Sequence, residues 1–185
     1  MTGATQTAVI VAITAAEPVV SEYRRRFDRA ASWGIPAHVS IVFPFVDPAD
    51  LNEGVLTRLA AAVATVNAFD CIFARCQWFG EDVLWLAPEP ADGFRTLTAA
   101  VVAAFPQHQP YGGQFDEVVP HLTVGERRRG STDELRAAAR GVSVELPILA
   151  TVDHAVLVAG TDAPASWRTI RRLPLGFRPA FEPVR

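Results

Sequence analysis

The chain reads His-Val-Ser-Ile at 38–41 and His-Leu-Thr-Val at 121–124. Each tetrad is a histidine, an apolar residue, a hydroxyl residue and a second apolar residue. Side chains alternate across a strand, so on an extended backbone His38 and Ser40 share one face while Val39 and Ile41 take the other. His121 and Thr123 stand in the same relation to Leu122 and Val124. Each strand can bury its aliphatic residues and present an imidazole beside a hydroxyl, with side-chain origins roughly 6–7 Å apart along the strand. The remaining histidines, His108 and His154, fit no such pattern.

The surroundings of the tetrads repeat too. A β-branched run at 7–15 predicts a buried strand. The segment 17–34 opens with Pro18, has helical periodicity and stops at Gly34. The first tetrad strand spans 38–43, a helix runs from the acidic stretch after Pro48 to about 66, and a strand covers 69–79. The order then recurs, with a strand at 83–88, a helix at 91–105, the second tetrad strand at 119–126, a helix at 131–141 with Ser131 and Glu134 in capping-box spacing, and a strand at 142–149. Closing strands are expected at 152–160 and 167–176. This is an internal duplication of element order, with a first repeat at about 7–79 and a second at about 83–149, in one domain spanning 1–185. A twofold relation between the halves would set the two His–hydroxyl pairs face to face across a groove. The halves differ most at 106–120, a connection rich in Pro, Gly and Gln that reads either as a functional loop or as a solvated one.

Composition narrows the class. Half of the 185 residues are apolar, enough for a sizeable core, and the net charge of −3 argues against a protein that coats DNA. All 17 basic residues are Arg, the better fork for phosphate oxygens. Cys71 and Cys76 lie at an odd separation, which on a regular strand places them on opposite faces and forbids a local bridge. Unpaired cysteines, an N-terminus without the positive region of a secretory signal, and an apolar run too short to span a membrane predict a cytoplasmic protein with no membrane role. A monomer is expected.

Two imidazoles flanking one centre can serve as general base and general acid, because histidine titrates near neutrality. Two hydroxyls can donate hydrogen bonds to the non-bridging oxygens of a phosphate. In-line attack at phosphorus needs the base on one side and the acid on the other, and this chemistry needs neither metal nor cofactor. The stretches IPAHVSIVFPF and PYGGQFDEVVPHLTVG, together with VLWLAPEPADGFRTLTAAV between them, resemble the 2H phosphoesterase superfamily, especially its 2′–5′ RNA ligase-like branch. That resemblance implies a bilobal α+β fold with two related antiparallel sheets around a central cleft. It also implies metal-independent cleavage of a 2′,3′-cyclic or related phosphodiester at a nucleotide or RNA end. On the matching positions it makes His38 and His121 the acid–base pair and Ser40 and Thr123 the phosphate ligands; Ser40 stands where Thr is common.

Arg127, in the run 127–130, and Arg168, near the C-terminus, are candidates for a substrate's remaining phosphates or for plain surface charge. Tyr111 and Trp78 are candidates for stacking on a base or for packing. There is no Gly-x-Ser-x-Gly elbow, Walker A loop, Gly-x-Gly-x-x-Gly or His-Glu-x-x-His, and two cysteines at this spacing make no zinc site. Two other readings remain open: a nucleotide- or RNA-binding module without turnover, and 2′–5′ RNA end-joining, the same chemistry in reverse.

Overall fold

The computed structural model describes residues 3–114 and 118–177. Its elements are β1 (Gln6–Ala12), α1 (Glu17–Phe27), α2 (Arg29–Ser32), β2 (His38–Val42), α3 (Glu53–Ala64), β3 (Phe69–Phe79), β4 (Val83–Glu89), α4 (Asp92–Ala104), β5 (Leu122–Glu126), α5 (Thr132–Ser143), β6 (Ile148–Val152), β7 (His154–Gly160) and β8 (Arg168–Pro174).

The strands form one curled antiparallel sheet in the order β6-β3-β4-β5-β2-β1-β7-β8. The two sheets expected from the sequence are thus hydrogen-bonded halves of one, joined where β2 meets β5 through the pair Val39↔Leu122. The duplicated strands β1–β2 and β4–β5 flank this junction symmetrically. By contrast β3, the last strand of the first sequence unit, pairs with β4 and β6 in the other half.

One face of the sheet carries the main core. Val9, Val39, Ile41, Leu84, Leu122 and Val124 pack there against Val20 and Phe27 of α1, Leu59 and Val63 of α3, Phe94 and Leu97 of α4, and Leu135 and Val142 of α5. Helix packing on that face follows from apolar stripes at helical spacing. The opposite face is treated unequally. Over β1 and β7, Ala8, Ile10, Val156 and Val158 are roofed by Trp167, Trp33 and Phe43. β1 therefore buries both of its faces, which is why its sequence is a continuous apolar run.

Several element limits differ from the sequence expectation for identifiable reasons. The helix expected over 17–34 breaks at Asp28, whose backbone is extended (φ −114°, ψ 125°) so that its carboxylate can accept from the Ala30 N–H and cap α2. Residues 142–147 are not strand. Val142 completes the buried stripe of α5 at helical spacing, and β6 begins at Ile148. The closing strands shorten to β7 and β8, with Asp153 between β6 and β7. No helix among the described residues is long and apolar enough to cross a membrane.

Candidate active site

The register at the sheet's centre builds the site. Val39 and Leu122 are direct antiparallel partners, and both are fully buried in the main core. Their neighbours in each strand must therefore point to the opposite face. Continuing the register sets His38 beside Thr123 and Ser40 beside His121. All four side chains share one part-exposed patch, with the two histidines on a diagonal whose origins are roughly 7–8 Å apart. That spacing leaves room for a phosphate between the rings.

The duplication recurs in backbone detail. Each ring is latched by the carbonyl two residues before it: His38 Nδ1 donates to Pro36 O at 2.8 Å, and His121 Nδ1 donates to Val119 O at 2.8 Å. A carbonyl only accepts, so each Nδ1 carries the proton and the far nitrogen, Nε2, is the one available for chemistry. Directly after each hydroxyl residue the ladder slips by one. Ile10 pairs with Ser40 but Val9 with Val42; Trp85 pairs with Thr123 but Leu84 with Gly125. The fourth tetrad residue, Ile41 or Val124, is the extra residue of a β-bulge in both strands, and both stay buried. Bulges of this kind twist a strand and re-aim its side chains.

A third bulge, between Phe73 and Cys76 of β3, decides what lines the flank beside His121. It turns Trp78 toward the main core, against which it packs, and Phe79 toward the cleft. Phe79 stands edge-on to the His121 ring (centroids 5.0 Å) and stacks on Trp85 (4.6 Å), which is itself 5.8 Å from His121. The same bulge corrects the cysteines. Both lie on the core side, with Cys71 buried and Cys76 packed under α5, and both are free thiols. Burial, helped by Asp70, pushes the Cys71 thiol up to about 12, so it is not a nucleophile.

Tyr111 is joined to the first tetrad. Its N–H donates to Phe43 O at 2.7 Å, and its phenol hydrogen-bonds the Ser40 side chain while burial raises its pKa. It holds a left-handed backbone (φ 53°) in the turn Pro110–Gly113. Residues 115–117 of the loop expected at 106–120 lie outside the described residues. Arg127 turns to Asp82, 3.6 Å away, at the far end of β5. Arg168 donates to the carbonyls of Ala165 and Trp167 in its own turn. Neither reaches the tetrads.

Sequence reasoning missed the residues beneath the site. Arg24 and Asp28 form a buried ion pair (2.7 Å; side chains 3% and 2% exposed), and Arg24 also donates to Ile35 O at 3.3 Å. Glu17 accepts from the Ala37 N–H at 2.5 Å. α1 thereby clamps the segment that delivers His38. The available signal was the stripe Val20, Arg24, Phe27 at helical spacing, which places one arginine of the RRR run inward and leaves Arg25 and Arg26 exposed.

The two rings differ electrostatically. Each is part-exposed by area, yet both stand in dense surroundings. Burial above all, then the Arg24 guanidinium, lowers His38 from 6.5 to about 3; the Pro36 carbonyl opposes this, and His121 adds slightly to it. His121 is lowered too, chiefly by burial, against the raising effects of the Val119 carbonyl and the Asp28 carboxylate. An unfolded His38 takes a proton near 6.5 that the folded one refuses until about 3. Its contribution to stability is therefore fully present above 6.5 and is lost as the pH falls through that window. Urea midpoints should drop across it, and His38→Gln should flatten the drop; an unaltered slope would contradict a His38 held neutral by its surroundings. Among the described residues no group of three or more His, Cys, Asp or Glu is arranged to hold a metal ion.

No curated protein matches the chain. Solved structures do. E. coli LigT in apo form aligns with a TM-score of 0.59 at 15% identity, over 95% of this chain and 99% of that one. LigT complexed with 3′-AMP aligns at 0.56 and 16% over 93% and 98%. TT0787 of Thermus thermophilus aligns at 0.55 and 14% over 93% and 98%. At such identities these share the fold. The model of the 2′-5′ RNA ligase superfamily matches residues 12–163, a span that holds both tetrads, both bulges and both carbonyl latches, and the chain belongs to that superfamily of 2H phosphoesterases.

Proposed function

We propose that the protein hydrolyses a cyclic phosphodiester, a 2′,3′-cyclic nucleotide or RNA end or a related nucleotide, by two-histidine general acid–base catalysis without a metal. The observation that carries this reading is the Val39↔Leu122 register, which gathers two imidazoles and two hydroxyls on one face. One neutral Nε2 takes a proton from water as its oxygen bonds to phosphorus. The P–O bond to one ribose oxygen breaks, and the other Nε2, protonated, gives its proton to that oxygen. The products are a phosphomonoester and a free hydroxyl. Ser40 and Thr123 donate to the non-bridging oxygens, whose negative charge grows in the transition state. Because the flank over β1 and β7 is roofed by Trp33 and Trp167, the rest of the nucleotide lies on the other flank, against Phe79. Solved complexes of E. coli LigT with 3′-AMP and with phosphate accord with a nucleotide phosphate as the ligand.

Screening the purified protein against 2′,3′-cyclic nucleotides, 2′–5′-linked oligonucleotides and ADP-ribose cyclic phosphate tests the proposal. Turnover of a cyclic phosphate that survives chelator supports it. A strict need for a divalent ion points to metal-activated water instead, and RNA joining without hydrolysis points to a 5′-hydroxyl in place of water. The pH profile of kcat/KM reports the free enzyme. Both rings titrate below 6.5, and one must be neutral while the other is charged. The bell should therefore peak on the acid side of 6.5 and fall as the pH rises above it. A maximum on the alkaline side would contradict the scheme.

A further inference from the structure

The hydroxyl residue is a serine in the first tetrad and a threonine in the second. We propose that Tyr111 is a positioning residue of the first tetrad: its phenol does for Ser40 what the γ-methyl does for Thr123, holding the hydroxyl in the rotamer that meets the substrate's phosphate. The inference rests on the hydrolytic reading above and deepens it, adding to the phosphate site a residue from outside both tetrads.

The need arises from side-chain stiffness. Threonine is branched at Cβ, which restricts χ1, whereas serine turns more freely among its staggered rotamers. A free serine rotor meets a phosphate oxygen only part of the time, and ordering it on binding costs entropy. The chain's only other tyrosine, Tyr23, lies against Gly141 of α5, so the second tetrad has no phenol beside it. The two hydroxyls are therefore fixed by different means, one by its own methyl and one by a neighbour.

The backbone accepts strain to bring this phenol in. After Pro110 the turn takes three successive left-handed residues, Tyr111 at φ 53°, Gly112 at 64° and Gly113 at 75°. Glycine adopts that region without penalty and tyrosine does not. A bulky side chain placed where the backbone disfavours it points to a function of that side chain. The turn is also fixed at both ends. Gln109 Nε2 donates to Pro106 O at 2.8 Å, Pro110 is buried, and the Tyr111 N–H donates to Phe43 O at 2.7 Å. Phe43 lies three residues beyond Ser40 and packs against Trp167 (centroids 6.1 Å), so the anchor stands at the exit of the first tetrad's own strand. It sets the half-buried phenol on the Ser40 side chain. Burial keeps the phenol protonated, so it can donate to Ser40 Oγ and leave the Ser40 O–H to donate to a phosphate oxygen. The two bonds run head to tail and polarise each other. Tyr111 acts through Ser40 and not on the reacting atoms.

Three measurements test the role. Tyr111→Phe keeps the ring and removes the hydroxyl, and it should lower kcat/KM on a 2′,3′-cyclic nucleotide about 10-fold. In a Ser40→Thr background, where a γ-methyl stiffens the hydroxyl directly, the same substitution should cost less than about 2-fold. Equal losses in the two backgrounds, or no loss in either, overturn the proposal. The second measurement uses the two phosphorothioate diastereomers of the cyclic substrate, each with sulfur, a weaker acceptor, in place of one non-bridging oxygen. One diastereomer sets its sulfur at Ser40 and the other at Thr123, and Ser40→Ala identifies the first by removing its sulfur effect. Tyr111→Phe should reduce that same effect and spare the other, a stereochemical readout that a merely structural tyrosine would not move. An effect spared at Ser40, reduced at both positions, or absent from the wild type overturns the proposal. This comparison decides by itself if Ser40→Thr does not fold. Wild-type protein inert toward cyclic phosphates defeats the hydrolytic reading, and calorimetry with inorganic phosphate then decides the role of Tyr111. Tyr111→Phe should weaken phosphate binding, as Ser40→Ala does. Unchanged binding, or none by the wild type, overturns the proposal.

Discussion

Replacing His38 or His121 with alanine is expected to slow hydrolysis by on the order of 10²–10⁴, the usual worth of a positioned acid or base. The expectation follows from the latches. With Nδ1 tied to a carbonyl, each ring is held in one orientation with Nε2 as its available nitrogen, and alanine removes that nitrogen. Alanine should leave the fold intact, since both rings lie on the part-exposed face and not in the main core. His108 and His154 are the internal controls. His108 packs beside Phe45, and His154 contacts Asp153 and Arg172 at the start of β7. Their alanine variants should turn over near the wild-type rate. Single-turnover rates of the four variants check this, and a near wild-type rate for folded His38→Ala or His121→Ala would remove the two-histidine mechanism.

The hydroxyl variants should show the next largest effect. Under the proposed mechanism, Ser40→Ala or Thr123→Val removes one hydrogen bond to a charged oxygen, about 1.5–3 kcal/mol, which is about 10- to 150-fold in kcat/KM. The two positions are not equivalent, because Ser40 also bonds the phenol of Tyr111. Ser40→Ala therefore loses a donor and releases Tyr111 at once, and Tyr111→Phe should add little in a Ser40→Ala background. Thr123→Val and Tyr111→Phe, acting on separate bonds, should combine nearly additively. Kinetics of the three single and two double variants decide the point. Full activity in both hydroxyl variants would show that the phosphate sits elsewhere.

The periodicity of the sequence determined the strands, the helices and the pairing of function with face. Alternation in each tetrad is a local property, so the companionship of His38 with Ser40 and of His121 with Thr123 was legible without a structure, as was the duplicated order around them. Membership of a family followed from the same residues. What the sequence left undecided depends on contacts between distant segments. One residue of bulge in β3 exchanges Trp78 for Phe79 at the cleft and moves Cys76 to the core side, and nothing in the local pattern announces that slip. The strand expected at 142–149 failed because Val142 satisfies helical and extended patterns alike, and only packing of α5 on the sheet chose between them. Arg24 and Asp28 stand in the charged run RRRFDR. The close approach of α1 to the sheet at Gly125 and the contact of Arg24 with Ile35 O belong to the tertiary fold that buries them. Short-range sterics and hydrophobic alternation are written residue by residue. Burial and its electrostatic consequences belong to the assembled sheet, so the equality of the two tetrads was a property of the sequence and their inequality a property of the fold.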